Sequence, residues 1–246
     1  MSRSTVNTTA PRLFVAAPLH ARADIALTTE QAHYLGTVLR RDSGATVRLF
    51  NGVDGEWSAR LVLSRRSASA IVEEPLRPQT PEAGHWLVFA VLKRDATDLV
   101  VRQAVELGAS RLLPVVTERT NTARINEDRL RSIATEAAEQ SERLTVPPID
   151  ALTRLDSVLA NWPAGRRLFV ALERGTASPP PRGPGAAALL VGPEGGFTPA
   201  ERDMPRRWAF MTEVSLGPYV LRAETAAAAG QALLPGMGWA EYGGAT

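Results

Sequence analysis

The sequence predicts an α/β protein in which a small β module precedes a larger domain with a mostly parallel sheet. Three observations carry that reading. Residues 12–75 hold short alternating runs separated by turn clusters, as in a small barrel or sandwich. Residues 74–81 are polar and contain three prolines, the mark of a linker. From residue 85 onward, unbroken apolar runs alternate with helically spaced segments, the β-α-β order of a parallel sheet with helices on both faces. The expected domains are therefore 1–75 and 76–246.

In the first domain, Arg12–Ala17 is a short apolar run, and a mixed polar-apolar segment follows over Thr28–Arg41. Thr46–Phe50 alternates, with Val47 and Leu49 on one face. Asn51–Gly55 is a turn cluster whose glycines supply positive φ. Trp57, Ala59, Leu61 and Leu63 alternate again, and Ala68–Glu73 gives one more strand.

In the second domain, His85–Leu92 reads as a buried strand, and Asp98–Leu107 as a helix closed by Gly108 at C′. Arg111–Val116 is the next strand. Asn126 caps a helix with Glu127 and Asp128 in its first turn, running to about Arg143. Leu155–Trp162 is a short helix, Arg167–Leu172 a strand, Ser178–Gly185 a Pro/Gly loop and Ala186–Val191 a strand. Thr198-Pro199-Ala200-Glu201 is a capping box with proline at the first helical position. Thr212–Leu216 is a last strand and Arg222–Leu234 a closing Ala-rich helix.

Composition narrows the function classes. The 246 residues are 44% hydrophobic and 22% charged, enough for a sizeable core. Lys+Arg 28 against Asp+Glu 26 excludes a strongly cationic nucleic-acid coat, so any RNA surface must come from local arginine clusters. Cysteine is absent, which removes disulfides, thiolate nucleophiles and Cys-based zinc sites. The three scattered histidines do not make a metal site, so none is expected. No run reaches the ~18–20 apolar residues of a membrane helix. MSRSTVNTTAPR has no apolar h-region, so a cytoplasmic location is expected.

Two loops stand where chemistry would sit. Gly192-Pro193-Glu194-Gly195-Gly196-Phe197 leaves a buried strand and enters a capped helix, and its glycines let backbone pass close to a ligand. It matches neither the dinucleotide nor the nucleoside-triphosphate fingerprint, and by itself it is equally a tight strand-to-helix turn. Ser215–Ala226 again leaves a strand and enters a helix, with Arg222 and Glu224 at the helix mouth. Taken alone, that pair reads as a solvated ion pair.

Together the loops resemble the SPOUT-class methyltransferases and, more closely, the bacterial 16S rRNA uridine-N3 methyltransferase family (m3U1498 in the usual rRNA numbering). The resemblance covers nearly the whole chain. Arg12-Leu13-Phe14-Val15, His33-Tyr34-Leu35, Val38-Leu39-Arg40 and Leu49-Phe50-Asn51-Gly52 look like the family's PUA-like β-barrel domain. Lys93-Arg94-Asp95, Glu106-Leu107-Gly108, Thr117-Glu118-Arg119 and Glu136–Ser141 match in order and spacing, as do Val191–Gly196 and Leu221–Ala226. Thr120 departs from an expected serine.

The resemblance implies S-adenosylmethionine as cofactor, a C-terminal trefoil knot, a homodimer, and 16S rRNA in the 30S subunit as substrate, with no DNA or membrane partner. It implies cofactor contacts from Leu172, Gly192, Pro193, Glu194, Gly195, Gly196, Leu216, Gly217, Val220 and Leu221. RNA contacts are expected from Arg12, Arg40, Lys93, Arg94 and Arg119, chiefly through phosphates. Arg222 is the expected catalytic group, because its planar, always-charged fork suits the anion spread over uridine N3, O2 and O4. Glu224 would orient Arg222 or assist proton removal, and a helix-cap role is equally compatible. Two alternatives stay open: a SPOUT methyltransferase acting on tRNA or another rRNA site, and a non-catalytic RNA-binding assembly factor.

Overall fold

The computed structural model describes residues 10–64, 67–81, 84–121, 124–172, 177–180 and 186–234. The chain divides into two compact units, one comprising residues 1–81 with 138–146, the other 82–137 with 147–246.

The first unit is a five-stranded sheet of β1 (Arg12–Phe14), β2 (Asp24–Ala26), β3 (Thr46–Phe50), β4 (Glu56–Leu63) and β5 (Ala68–Arg77). The strand order is β1-β3-β4-β5-β2; β1 and β3 run parallel and the other pairs antiparallel. Alternation places Val47, Leu49, Ala59, Leu61, Ala70 and Val72 on one side, all fully buried with Leu13 and Leu35. Thr28 opens α1 (Thr29–His33) through a capping box with Gln31, and a π-helical turn over Tyr34–Val38 continues it. Asn51 Oδ1 accepts from the N–H groups of Val53 and Asp54, which closes the β3–β4 turn.

One feature of this unit differs from the sequence expectation. Residues 74–77 continue β5 instead of starting a linker: Pro75 faces Trp57 at a register shift, where a missing N–H costs no ladder bond. Residues 138–146 belong to this unit and bond to its strands. Glu56, completely buried, pairs with Arg12 Nε and accepts from Arg77 Nε at 2.6 Å. Arg12 Nη1 donates to the Ala138 carbonyl at 2.7 Å, its Nη2 to that of Arg143, and its guanidinium lies 3.8 Å over the Phe50 ring. Arg48 Nη2 donates to Glu142 Oε1 at 2.8 Å.

The second unit is a six-stranded parallel sheet. Its strands are β6 (Trp86–Ala90), β7 (Arg111–Val116), β8 (Thr153–Arg154), β9 (Arg167–Ala171), β10 (Ala187–Val191) and β11 (Met211–Val214), in the order β11-β9-β10-β6-β7-β8. Its helices are α2 (Arg94–Glu106), α3 (Glu127–Gln140), α4 (Leu155–Ala160), α5 (Pro199–Arg202), α6 (Met204–Arg207) and α7 (Ala223–Leu233). One sheet face carries Val88, Val115, Leu168, Val170 and Leu190 against Leu155 and Leu159 of α4 and Met204 of α6. On the other, α7 packs on β6, β10 and α2. Gly230 makes that approach possible, because a Cβ there would stand 2.6 Å from Leu189 Cδ2.

The expected elements of this unit are present with small shifts. The second helix begins at Arg94 and not Asp98, since Lys93 already has the extended cap conformation and Asp95 lies in the first turn. Gly108 has φ +80°, as a C′ glycine requires. The two-residue β8 carried too little pattern to be read, as did the edge strand β2. Residues 181–185 of the predicted Pro/Gly loop lie outside the described residues.

Candidate active site

The carboxyl ends of β6, β7, β9 and β10 and the approach to α7 surround one cleft of about 750 Å³ in the second unit. Ligands of open α/β sheets bind at this edge, where strand-exit loops gather, and the volume falls within the roughly 300–1,000 Å³ typical of small-molecule sites.

The glycine loop forms one wall. Gly192 leaves β10 against the Phe197 ring, whose Cε2 would lie 2.9 Å from a Cβ at that position. The Gly196 N–H donates to the Pro193 carbonyl at 2.9 Å, and Gly196 has φ +64°, so the chain reverses tightly. Thr198 and Glu201 form the predicted capping box. Glu201 Oε1 also accepts from the N–H of Glu118 at 2.9 Å, which ties the loop after β7 to the start of α5. Arg119 adds a second tie, donating from Nη1 to the carbonyls of Gly195 at 3.0 Å and Phe197 at 3.4 Å. Thr117 and Thr120 share a hydroxyl contact of 2.9 Å that closes this turn, so threonine serves where serine was expected.

The opposite wall is Val220 to Glu224. Arg222 is the N-cap residue of α7, with φ −63° and ψ 153°, and its side chain makes no capping hydrogen bond. It is exposed, and its guanidinium enters no ion pair or side-chain hydrogen bond among the described residues. Glu224 lies half-buried in the first helical turn, where the helix dipole favours a carboxylate. Leu172, buried, lines the cleft beside Ala171 and Val191. Lys93, Arg119, Arg202 and Arg222 against Glu194 and Glu224 leave the lining net positive.

Most of the predicted set therefore converges: Leu172, Gly192, Pro193, Glu194, Gly195, Gly196, Val220, Leu221, Arg222, Glu224, Lys93 and Arg119 share the cleft. Leu216 and Gly217 do not line it. The Gly217 N–H turns back onto Ser215 Oγ at 3.3 Å, and with φ +125° the chain swings outward there. Arg12 is a correction. It is 6% exposed, and its guanidinium is engaged by Glu56 and by backbone carbonyls, so burial keeps it from a phosphate in solution. Arg40, in the first unit, is exposed with φ +51°. Arg94 lines a different cleft from Lys93. Ala96, Asn121 and Arg202 line the site without having been read from the sequence. Arg202 directly follows the capping box, and no periodicity marks Asn121. Among the described residues no cluster of three or more His, Cys, Asp or Glu could hold a metal, and no helix is long and apolar enough to cross a membrane.

These features define an α/β ligand-binding domain with a glycine-loop cleft, accompanied by a small β unit. Residues 80–234 match the RNA methyltransferase domain family and residues 27–73 the RNA methyltransferase PUA domain. The chain belongs to the RNA methyltransferase family. It is 32% identical over 228 residues to the ribosomal RNA small subunit methyltransferase E of Rickettsia conorii, covering 88% of this chain and 91% of that one. The enzyme of the same name from Synechocystis is 32% identical over 225 residues, covering 87% and 74%. The crystal structure of ribosomal RNA small subunit methyltransferase E from Neisseria gonorrhoeae, bound to S-adenosyl methionine, superposes with a TM-score of 0.82. Identity there is 29%, over 91% of this chain and 95% of that one.

Proposed function

We propose that this protein transfers the methyl group of S-adenosylmethionine to N3 of a uridine in 16S rRNA, the position of m3U1498, on the assembled 30S subunit. The single observation that carries this reading is the placement of an unpaired guanidinium, Arg222, on the same cleft as the glycine loop. The relatives' names and the cofactor in the Neisseria structure support the reaction class and the donor.

The residues suit the cofactor. Gly195 and Gly196 keep one wall free of side chains, and a Cβ on Gly195 would project beside Arg119. Leu172, Val191 and Leu221 offer apolar surface to an adenine, and the backbone of Gly192–Gly196 offers polar groups. When bound, the cofactor supplies an electrophilic methyl on a sulfonium. Uridine N3 attacks well only after losing its imide proton. Arg222 is placed to neutralise the resulting charge on N3, O2 and O4 as it develops. Glu224, in the adjoining helical turn, orients that guanidinium or accepts the proton. The net positive lining holds the RNA strand close, so positioning accounts for much of the remaining rate.

In this reading Lys93, Arg94 and Arg40 contact RNA phosphates, the enzyme works in the cytoplasm as a homodimer, and the chain between β11 and α7 is threaded as a trefoil knot. Mass spectrometry of rRNA nucleosides from cells lacking the protein tests the function. Loss of 3-methyluridine from 16S rRNA, restored by the wild-type chain, is expected. Unchanged 3-methyluridine, with a methyl mark missing from tRNA instead, would overturn the substrate.

A further inference from the structure

A second cleft of about 480 Å³ opens where β6 gives way to α2, and the approach to α3 forms its far side. Its floor is apolar, with Leu92 and Leu130 both buried and Ile125 half-buried. Three arginines stand around that floor: Arg94, Arg124 and Arg129. Only one is neutralised. Arg129 Nε donates to Asp98 Oδ2 at 2.9 Å, and Asp98 is 8% exposed. Arg94 and Arg124 are exposed and enter no ion pair or side-chain hydrogen bond among the described residues. Two uncompensated guanidiniums over an apolar floor suit a ligand with an anionic edge and a flat, weakly polar face, which is a nucleotide.

Consecutive residues join the two clefts. Lys93 lines the first and Arg94 the second, so an anionic strand crossing this point meets a cation on each side. A lone anion would gain nothing from that continuity, whereas a polynucleotide places successive phosphates along it. We propose that the second cleft holds a nucleotide flanking the target uridine: Arg94 and Arg124 grip its phosphate, and its base lies on Leu92, Ile125 and Leu130. The proposal rests on the function proposed above.

The test compares the full-length wild-type chain with Arg94→Glu/Arg124→Glu and with Arg124→Ala. Binding to 30S subunits and to a short fluorescein-labelled single-stranded RNA is titrated across a salt series. Calorimetry with S-adenosylmethionine reports whether each variant keeps its first cleft. The double variant is expected to lose RNA affinity by about tenfold or more. The slope of log affinity against log salt should shrink by about 0.7 for each phosphate that is no longer neutralised. Arg124→Ala should show a smaller loss in the same direction, with cofactor affinity preserved in both. RNA affinity and salt slope equal to wild type in both variants would overturn the proposal. So would displacement of the labelled RNA by inorganic phosphate as effectively as by unlabelled RNA, which would make the cleft a free-anion site. Failure of the wild type to methylate 30S subunits would sink the proposed function instead, and the binding comparison would still decide the cleft.

Discussion

Arg119 and Gly195 are 76 residues apart in sequence, yet the Arg119 guanidinium donates from Nη1 to the Gly195 carbonyl at 3.0 Å. The same nitrogen reaches the Phe197 carbonyl at 3.4 Å. Arg119 thus braces the middle of the glycine loop while lining the cleft, and Glu201 ties the neighbouring residue Glu118 to the helix that follows the loop. A residue expected to touch RNA is engaged in holding one wall of the candidate cleft.

Arg119→Ala should therefore raise KM for S-adenosylmethionine by about tenfold, the effect of losing a charge-assisted hydrogen bond of ~1.5 kcal/mol. RNA affinity should change much less. Arg119→Lys should recover part of the loss, since one ammonium can reach one carbonyl but not hold both. Steady-state kinetics with each substrate varied in turn separates the two effects. A rise confined to the KM for RNA would return Arg119 to the phosphate-binding set.

Arg222 should act on the chemical step. Arg222→Ala is expected to lower kcat by about 10²–10³ with cofactor affinity little changed, because the charge it meets develops mainly in the transition state. Raising the pH should recover some of that rate, since more of the imide is then already deprotonated. Single-turnover methylation of 30S subunits measures it. A rate within about threefold of wild type would remove Arg222 from the mechanism.

The two loop glycines should fail differently. A Cβ on Gly195 meets Arg119 Cβ at an ordinary 3.6 Å, so Gly195→Val should fold and lose cofactor binding. A Cβ on Gly192 meets the buried Phe197 ring at 2.9 Å, so Gly192→Ala should cost about 1–3 kcal/mol of stability through overpacking. Calorimetric titration and urea unfolding of both variants check the pair.

Glu56 should be a stability residue. Glu56→Ala leaves Arg12 buried without its carboxylate, and loss of one partner of a buried pair costs about 3–5 kcal/mol. Denaturant midpoints read this directly, and cofactor affinity of the folded fraction should be unchanged.

Acid should weaken the first unit through Glu142. Its carboxyl is held below the usual range, first by the hydrogen bond from Arg48. A carboxylate with a depressed folded pKa stabilises at neutral pH, and the contribution disappears as pH falls below about 4.3 through the folded value. Its side chain is 50% exposed, so the effect is small. Urea midpoints of wild type and Glu142→Gln should differ at neutral pH and converge in acid.

Local pattern alone determined much of this protein. Period-2 runs gave β3, β4 and most of β5, apolar runs gave the parallel strands, and Asn126, Thr198 and Gly108 marked helix ends through bonds made within a few residues. The glycine loop and the Arg222 helix mouth were legible because each is a short strand-to-helix passage. Tertiary structure decided what depends on distant partners. Arg12, Arg48 and Glu56 fall where a half-exposed sheet would face water, and only the packing of residues 138–146 buries and pairs them. Arg119 and Glu201 have no local signal for loop-bracing, because their partners lie 76 and 83 residues away. Lys93 and Arg94 are adjacent in sequence but line separate clefts, since successive residues at a helix start point in different directions. Hydrophobic period and capping are properties of a few neighbouring residues, whereas burial and ion pairing are fixed only when the chain brings remote segments together.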